Sequence, residues 1–372
     1  MHEALNHAKL AMLFRREFEL CNVNKGETIV LLSDLGARRD YVSAAFPAAE
    51  DLGADAYEMC VNAMPSWTKV GVETVGRCKG TLEAIKSADM LVCLHIPLFT
   101  RWLKEARDAG TRVLMVIDAP DELETLMAPA GLKEAVTYAG ARLERAKTMR
   151  ITRPGGTDLT VKLGGYPTMI QYGYAEAPGR FDHWGAGHVH TFPNEGSANG
   201  TVVFAPGDIV VLPYCRYVQD EVRLDIRDGF IRKIEGGLDA KLMSDWLDGN
   251  KANAQDMDGH AISHLGWGLN PQGRWDAIAL NGADPIRHHA GARCFAGNFL
   301  FSTGPNSQGA ASVPPKGTTT CQCGTAPLPS TMTLSSSAAR SPTKRCRSLS
   351  CRVDALRSLR HTGARHVRGV QG

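Results

Sequence analysis

The feature that most constrains the fold is an alternation of two apolar patterns between residues 27 and 117. Short runs rich in β-branched residues predict strands over residues 28–33, 55–61, 90–95 and 112–117. Stretches of helical period between them predict helices over residues 40–52, 81–87 and 103–109, and an amphipathic helix is predicted earlier, over residues 3–20. Such alternation is typical of βαβ units and a mainly parallel sheet, in which ligands gather at the carboxyl ends of the strands.

A second pattern begins near residue 150, after a helical run over residues 121–148. Glycine turns and β-branched segments predict strands over residues 149–153, 157–163, 201–204, 208–212, 222–227 and 230–235. The sequence therefore predicts an α/β protein in two parts. An N-terminal parallel α/β domain is expected over residues 1–149, and a C-terminal mixed, β-rich domain carrying the functional site over residues 150–309.

Composition and patterning narrow the class of protein. With 43% hydrophobic and 22% charged residues in 372, a soluble globular chain of two domains is expected. Charges interrupt the first 23 residues and no run of about 18 apolar residues exists, so neither a signal peptide nor a membrane span is expected. The ten cysteines are then expected to be reduced thiols, in a cytoplasmic protein. The loop Ser33–Arg38 lacks a glycine-rich phosphate motif, which argues against dinucleotide binding.

Residues 310–372 differ from the rest of the chain. They carry ten of the 42 Lys and Arg residues, a single acidic residue (Asp354) of 39, and no Phe, Tyr or Trp. Because so few large apolar side chains cannot offset chain entropy, a disordered basic tail is predicted. One hypothesis gives this tail a nucleic-acid or membrane surface as partner, and another gives it a metal site at Cys321, Cys323, Cys346 and Cys351.

Three places concentrate side chains suited to chemistry. His95 follows a predicted strand and precedes Pro97, so it is either an ordinary loop histidine or a general base at a strand end. His264 lies in the glycine-rich apolar run Gly259–Leu269, as either a hydrogen-bonded core histidine or a metal ligand. The segment Tyr172–Glu195 is either a solvated loop or, as we favour, an active-site wall. Its candidate side chains are Glu176, His183, His188 and His190.

Four segments in order carry a resemblance to a known family: Tyr166–Trp184, Phe192–Ser197, Ile262–Pro271 and Gly297–Asn306. Together they resemble the bacterial 2,5-dihydroxypyridine 5,6-dioxygenases. The resemblance is dense from about residue 150 to residue 308 and thinner before it. The same segments are more distantly similar to metallopeptidases of the aminopeptidase T type, which are related to these dioxygenases in fold.

The resemblance implies a non-haem Fe(II) centre held by two histidines and one aspartate, with open positions for substrate oxygen and O2. It implies opening of the 2,5-dihydroxypyridine ring between C5 and C6 to give N-formylmaleamate, in nicotinate degradation. The residues it implies are His264 as iron ligand, His95 as acid or base, Leu94 and Ser302 as substrate contacts, and, as further pocket residues, Glu176, His183 and His190 (catalytic) and His188 (substrate-binding). We expect a homo-oligomer with no nucleic-acid or membrane partner.

One expected motif is missing. The family takes its second histidine and its aspartate from a His-x-Asp-x-Pro-x-Arg motif shortly after the segment ending at Asn306, and this chain has no such motif. With GC-rich codons chosen for Lys316–Gly324, a two-base shift can spell Gly-His-Asp-Asp-Met-Pro-Val-Arg. A third hypothesis for the tail is therefore that it is translated out of frame. Without the motif, weak iron binding and impaired activity are predicted.

Two other classes of function stay open at the level of sequence. A metal-dependent, aminopeptidase-like hydrolase would use Glu195 as a ligand and a metal-bound water as nucleophile. A non-enzymatic nucleic-acid binder would depend on the basic tail. The dioxygenase is the leading hypothesis, because several long motifs in the same order are more specific than either single feature.

Overall fold

The structure is a computed structural model that describes residues 6–62, 73–98, 100–211, 215–281, 289–304, 321–324 and 331–335. Its first half alternates helices and strands. They are α1 (His7–Leu20), β1 (Thr28–Asp34), α2 (Arg39–Asp51), β2 (Asp55–Val61), α3 (Thr81–Lys86), β3 (Met90–Cys93), α4 (Arg101–Asp108), β4 (Arg112–Met115), α5 (Pro120–Thr125) and α6 (Leu132–Arg145). The predicted strands and helices up to residue 117 are confirmed.

The helix predicted over residues 121–148 is instead two helices, α5 and α6. Gly131 adopts φ +85° immediately before α6, a left-handed conformation that interrupts helical hydrogen bonding and that glycine adopts without strain. Pro129, two residues earlier, has no backbone N–H to continue α5. The apolar period continues across this break, which is why the sequence pattern alone indicated one helix.

The second half is β-rich, as predicted. It contains β5 (Thr148–Arg153), β6 (Thr157–Lys162), β7 (Met169–Gln171), β8 (Phe181–His183), β9 (His188–Thr191), β10 (Asn199–Phe204), β11 (Ile209–Val210), β12 (Arg216–Tyr217), β13 (Val222–Arg227), β14 (Phe230–Gly236), α7 (Leu238–Gly249), β15 (Ile262–Gly268), α8 (Ala277–Asn281), α9 (His289–Cys294) and β16 (Phe299–Thr303). A short 3-10 helix, Asp258–His260, precedes β15.

The strands form three sheets. The first is parallel, in the order β2-β1-β3-β4-β8, so β8 completes the N-terminal sheet although it lies beyond the predicted domain boundary at residue 149. The other two sheets are antiparallel and hold the remaining strands. With β17 (Cys321–Gly324) and β18 (Thr331–Ser335), their orders are β14-β13-β10-β6-β5-β18 and β12-β11-β17-β16-β15-β9-β7. We call the last of these the seven-stranded sheet. The α/β architecture is thus confirmed, while the linear domain boundaries stay predictions.

Within residues 310–372, which the sequence predicts to be a disordered tail, the structure describes two short strands. Strand β17 (Cys321–Gly324) pairs with β16 and β11, and β18 (Thr331–Ser335) pairs with β5. Strand pairing uses backbone N–H and C=O groups, so it does not need the large apolar side chains whose scarcity led to the prediction. The rest of the predicted tail lies outside the described residues.

The parallel sheet buries both of its faces. On one face, residues of β1 and β3 such as Ile29 and Val92 pack with α1 and α2, where the rings of Phe14 and Trp184 meet edge to face at 5.2 Å. On the other face, Val30 and its neighbours pack against α3 and α4. Within the described ranges, no helix has the length and apolar character needed to cross a bilayer.

A candidate active site lined by histidines

Three buried histidines share one face of the seven-stranded sheet. His188 and His190 are alternate residues of β9 and therefore point to the same side, and His264 lies on the neighbouring strand β15. The ring centroids of His188 and His190 are 5.5 Å apart, with the rings stacked, and those of His190 and His264 are 4.9 Å apart. We call these three residues the histidine face.

Glycine makes this close arrangement possible. Gly266 on β15 is the register partner of His190 on β9. A Cβ atom at Gly266 would lie 2.0 Å from the carbonyl oxygen of Val189 and 2.6 Å from the Cβ of His190. No side chain fits there without moving the strand backbone. The glycines of the run Gly259–Leu269 thus have a packing role beside His264.

Ser302 of β16 lies on the opposite side of β15 from β9, and its Oγ is 3.0 Å from His264 Nδ1. Both side chains are buried. The contact fixes the plane of the imidazole and, when Nδ1 carries the proton, places the lone pair on Nε2. Ser302 was predicted to contact substrate, and the structure gives it His264 as partner. The substrate contact stays a prediction.

The electrostatic surroundings keep the histidine face uncharged. Burial lowers the pKa of His190 to about 3, with a further contribution from the positive charge of Arg293. Burial also lowers the pKa of His188 and His264 well below the usual histidine value, and Arg293 and neighbouring histidines add to the shift. Neutral imidazoles present one lone pair and one N–H each, which suits them to bind a metal or a polar substrate.

Arg293 is a site residue that the sequence patterns did not reveal. It lies on α9, is buried, and its Nη2 is 2.7 Å from His183 Nε2. Burial lowers the pKa of Arg293, whereas Asp118 raises it. An arginine among small residues, in His289–Cys294, is the only local signal, and it is weak. The contact joins residues 110 positions apart, across a segment that includes strands of both antiparallel sheets.

His183 ends β8 at the carboxyl edge of the parallel sheet, and its ring centroid is 5.5 Å from that of His188. Asp182 anchors this turn: its carboxylate accepts hydrogen bonds from the backbone N–H of Tyr172 (3.0 Å) and His183 (2.9 Å), and from Arg180 (2.6 Å). Burial raises the pKa of Asp182 to about 6 even though Arg180 opposes the shift. The parallel sheet and the seven-stranded sheet thus meet at His183 and His188.

His95 also lies at the carboxyl edge of the parallel sheet, as predicted, and it is buried. Its Nε2 is 3.3 Å from Thr74 Oγ1, and its ring is 6.5 Å from that of Trp102. Leu94, the preceding residue, faces the opposite side of the sheet and packs in the core with α1 and α2. The predicted roles of both residues toward substrate stay predictions.

The two glutamates proposed from sequence lie apart from the histidine face. Glu176 accepts hydrogen bonds from Lys133 (2.7 Å) and Tyr172 (2.6 Å). Burial alone would raise its pKa, but these two partners and Arg180 lower it. Glu195 is exposed and accepts a hydrogen bond from Tyr166 (2.9 Å). These contacts indicate a structural role for Glu176. They do not join Glu195, the ligand that the hydrolase hypothesis requires, to the histidine face.

The described residues do not form a complete metal site. Among them, no three His, Cys, Asp or Glu side chains come together in a way that would hold a metal ion. The groups that interact with His264, the predicted iron ligand, include neighbouring histidines, Ser302 and Arg293. A cationic guanidinium in this cluster is the opposite of the anionic ligand that a two-histidine, one-carboxylate iron centre needs.

Comparisons with known proteins bear directly on this site. The family model of 2,5-dihydroxypyridine 5,6-dioxygenase (NicX) matches residues 9–320. The chain belongs to this family. It is 33% identical over 312 residues to the 2,5-dihydroxypyridine 5,6-dioxygenase of Pseudomonas putida KT2440, covering 82% of this chain and 87% of that protein. The family assignment makes the protein an oxygenase acting on a small molecule and O2.

Solved structures agree with the assignment. The structure of 2,5-dihydroxypyridine dioxygenase from Pseudomonas putida KT2440 superposes with a TM-score of 0.81 at 30% identity, covering 88% of this chain and 94% of that one. Wild-type AmpT from Thermus thermophilus superposes with a TM-score of 0.57 at 14% identity, covering 88% and 95%. The second likeness extends to the fold alone.

Proposed function

We propose that this site is built for Fe(II)-dependent opening of 2,5-dihydroxypyridine by O2 to N-formylmaleamate, as a step in nicotinate degradation. The reaction inserts both atoms of O2 as the C5–C6 bond breaks, so the product contains the atoms of the substrate plus two oxygens. No external reductant is consumed. The observation that carries the proposal is the buried, uncharged histidine face in a chain of the dioxygenase family.

The residues of this chain have separable tasks in that reaction. Ser302 orients the imidazole of His264 through the 3.0 Å contact. His95 is the acid or base that takes a proton from a substrate hydroxyl and returns it to the product. Arg293 supplies a positive charge that acts on all three imidazoles of the histidine face, which favours binding of an anionic form of the substrate.

We further propose that the chain binds Fe(II) weakly, because its described residues do not fit the group. When bound, Fe(II) supplies the open positions at which catechol-like substrates and O2 meet. This chain lacks the His-x-Asp-x-Pro-x-Arg motif that would supply the anionic ligand. Arg293 already places a positive charge beside His264, and a metal ion would add further positive charge there. Loss of one neutral and one anionic ligand together removes most of the binding free energy of such a site.

The test compares this chain with a frame-corrected chain in which the nucleotides for Lys316–Gly324 encode Gly-His-Asp-Asp-Met-Pro-Val-Arg. Bound iron is measured after anaerobic loading and desalting, and turnover is measured as O2 uptake together with loss of 2,5-dihydroxypyridine absorbance. The corrected chain is expected to retain about one iron per chain. The present chain is expected to retain far less, with turnover lower by at least about 100-fold.

Four results would count against the proposal in different ways. Full iron content and turnover in the present chain would overturn the weak-binding claim and point to substitute ligands. Absence of O2 uptake in the iron-loaded corrected chain would overturn the assigned reaction. Amide hydrolysis without O2 consumption, by either chain, would favour the hydrolase. A genomic read across the codons for residues 304–323 that is cleanly in the present frame would overturn the frameshift hypothesis.

A further inference from the structure

A carboxylate lies beside His95 at the carboxyl edge of the parallel sheet. Strands β1 and β3 pair in parallel, with Leu32 opposite Cys93, and the backbone N–H of Leu94 donates to the carbonyl of Leu32 at 2.9 Å. Continuing this register by two residues places Asp34 opposite His95. Neighbouring strands in a sheet are about 4.8 Å apart. The two backbones are therefore adjacent where the strands end.

Side-chain alternation puts the two groups on the same face of the sheet. Leu32 of β1 and Cys93 of β3 both belong to the core that faces α3 and α4. Asp34 and His95 lie two residues beyond Leu32 and Cys93, so their side chains point to the same face of the sheet as those two residues. The ring contact between His95 and Trp102 of α4 agrees with this placement. Asp34 and His95 are 7% and 6% exposed, so both side chains are shielded from bulk solvent.

Asp34 is the charged group that acts on His95 among the residues that the structure describes. Thr74 contacts Nε2, while Nδ1 is buried without a hydrogen-bond partner in the described part of the chain. The Cys93 thiol donates to the His95 carbonyl, and burial raises the pKa of Cys93 to about 12. Glu73, next to Thr74, accepts from the backbone N–H of Arg101 at 2.8 Å.

Asp34 itself is held in place by the chain. Its Oδ1 accepts a hydrogen bond from the backbone N–H of Gly36 at 2.9 Å, which closes the turn after β1. This bond ties the carboxylate to the same strand end that carries it. The position of the negative charge relative to His95 is therefore set by the sheet and the turn, not by a long flexible side chain.

We propose that Asp34 is the positioning residue that keeps the His95 imidazole able to take up and release a proton. The proposal rests on the role given to His95 in the proposed function. In that role, His95 accepts the proton of a substrate hydroxyl, the imidazolium is stabilised by the Asp34 carboxylate, and the proton returns to the ring-opened product. No net proton is gained or lost by the pair.

The physical basis is a balance of two opposed effects. Burial lowers the pKa of His95, and the charge of Asp34 raises it. Without the carboxylate, His95 would resemble His190, whose burial beside a cation leaves it uncharged throughout the physiological range. With the carboxylate, protonation of the imidazole costs less than burial alone would make it cost, which favours proton transfer to His95.

The test is a direct titration of His95 that does not depend on iron or turnover. The ring signals of the full chain are followed by NMR from pH 4.5 to 9, with H95Q identifying the His95 resonance. D34N is expected to lower the proton affinity of His95 about tenfold, which moves its midpoint about one unit toward acid. D40N is the matched control, because Asp40 is half-exposed and pairs with Arg38. It should leave the midpoint unchanged.

Two further measurements separate the possible outcomes. D34S keeps an oxygen that can accept from Gly36 and should give the same titration shift if D34N is too unstable to study. In the frame-corrected, iron-loaded chain, D34N should move the acid limb of the kcat/KM profile by about one pH unit toward acid. An unchanged His95 midpoint in both variants overturns the Asp34–His95 pair. An intact shift without O2 uptake overturns the proposed function and leaves the pair standing.

Discussion

The two parts of the fold bury ionisable groups in opposite electrostatic settings. On the histidine face, three bases lie near the cation of Arg293, and their pKa values are lowered. Against the parallel sheet, Glu17 of α1 is buried, and burial together with the charge of Asp182 of β8 raises the pKa of Glu17. A cation near bases lowers their pKa, and a carboxylate near a carboxyl group raises its pKa, so the uncharged form is favoured in both places. Asp34 and His95 differ, because there an acid faces a base.

This contrast separates two requirements of an oxygenase site. Uncharged imidazoles are suited to bind a metal or a polar substrate, since they present lone pairs without an opposing charge. A proton-transfer group must instead exchange its proton near the working pH. The histidine face suits the first requirement, and the proposed pair of Asp34 and His95 would serve the second.

The largest effect is expected from G266A, which attacks the histidine face through the backbone. The added Cβ would lie 2.0 Å from the Val189 carbonyl oxygen, so β15 must move away from β9 and separate His264 from His190. We expect the free energy of unfolding to fall by about 3 kcal/mol, measured by chemical denaturation. G249A is the control, since a Cβ there meets no atom within 4 Å and lies in α7. Equal stabilities for the two variants would contradict the close packing of these strands.

A smaller effect is expected from E17Q, which tests the acidic side of the contrast. Both carboxylate oxygens of Glu17 are buried without a hydrogen-bond partner among the described residues. A buried carboxyl with a raised folded-state pKa contributes stability below its unfolded pKa and loses that contribution as pH rises through the folded value. The unmodified chain should therefore lose stability relative to E17Q between pH 5 and pH 8, by about 2 kcal/mol.

The control for that experiment lies on the same helix. E19Q replaces an exposed glutamate that pairs with Arg15, so its stability should follow the unmodified chain across the pH range. Denaturation at pH 5, 6, 7 and 8 gives the comparison directly. The stability difference between E17Q and the unmodified chain could instead be the same at every pH. Glu17 would then be ionised in the folded protein across this range, which would contradict a raised pKa.

The smallest effect concerns the contact between Ser302 and His264. A double-mutant cycle of S302A, H264Q and the double variant should give a coupling energy of about 1 kcal/mol in unfolding free energy. Either single substitution removes the buried hydrogen bond, so the double variant does not lose it a second time. In the frame-corrected chain, S302A should also weaken iron retention by about tenfold. A coupling energy near zero would mean that Ser302 does not orient His264.

The fold of the first half was predictable because its signals are local. Runs such as Thr28–Asp34 and Met90–Cys93 combine β-branched content with a length typical of strands, and each is bounded by turn residues. The break between α5 and α6 was missed because apolar periodicity does not register the backbone conformation of Gly131. The joining of β8 to the parallel sheet was also missed, since a three-residue strand carries almost no periodic signal.

The site was predictable only in part, for a related reason. His188, His190 and His264 stand out in sequence because each interrupts an apolar or glycine-rich run. Arg293 and Asp34 do not, because their importance comes from partners that are distant in sequence: His183 in one case and His95 in the other. Sequence patterns indicate which side chains are unusual. They do not indicate which unusual side chain a given strand order places beside which charge.

Strand β17 has a consequence for how a reading-frame error in this gene would appear. It lies between β11 and β16, and its pairing satisfies their backbone groups whatever side chains the segment carries. A tail of altered sequence would therefore complete the seven-stranded sheet if four of its residues adopt the extended conformation of a strand. Folding and expression would then report a normal protein, and only a measurement of bound iron or ring opening would reveal that the chemistry had been lost.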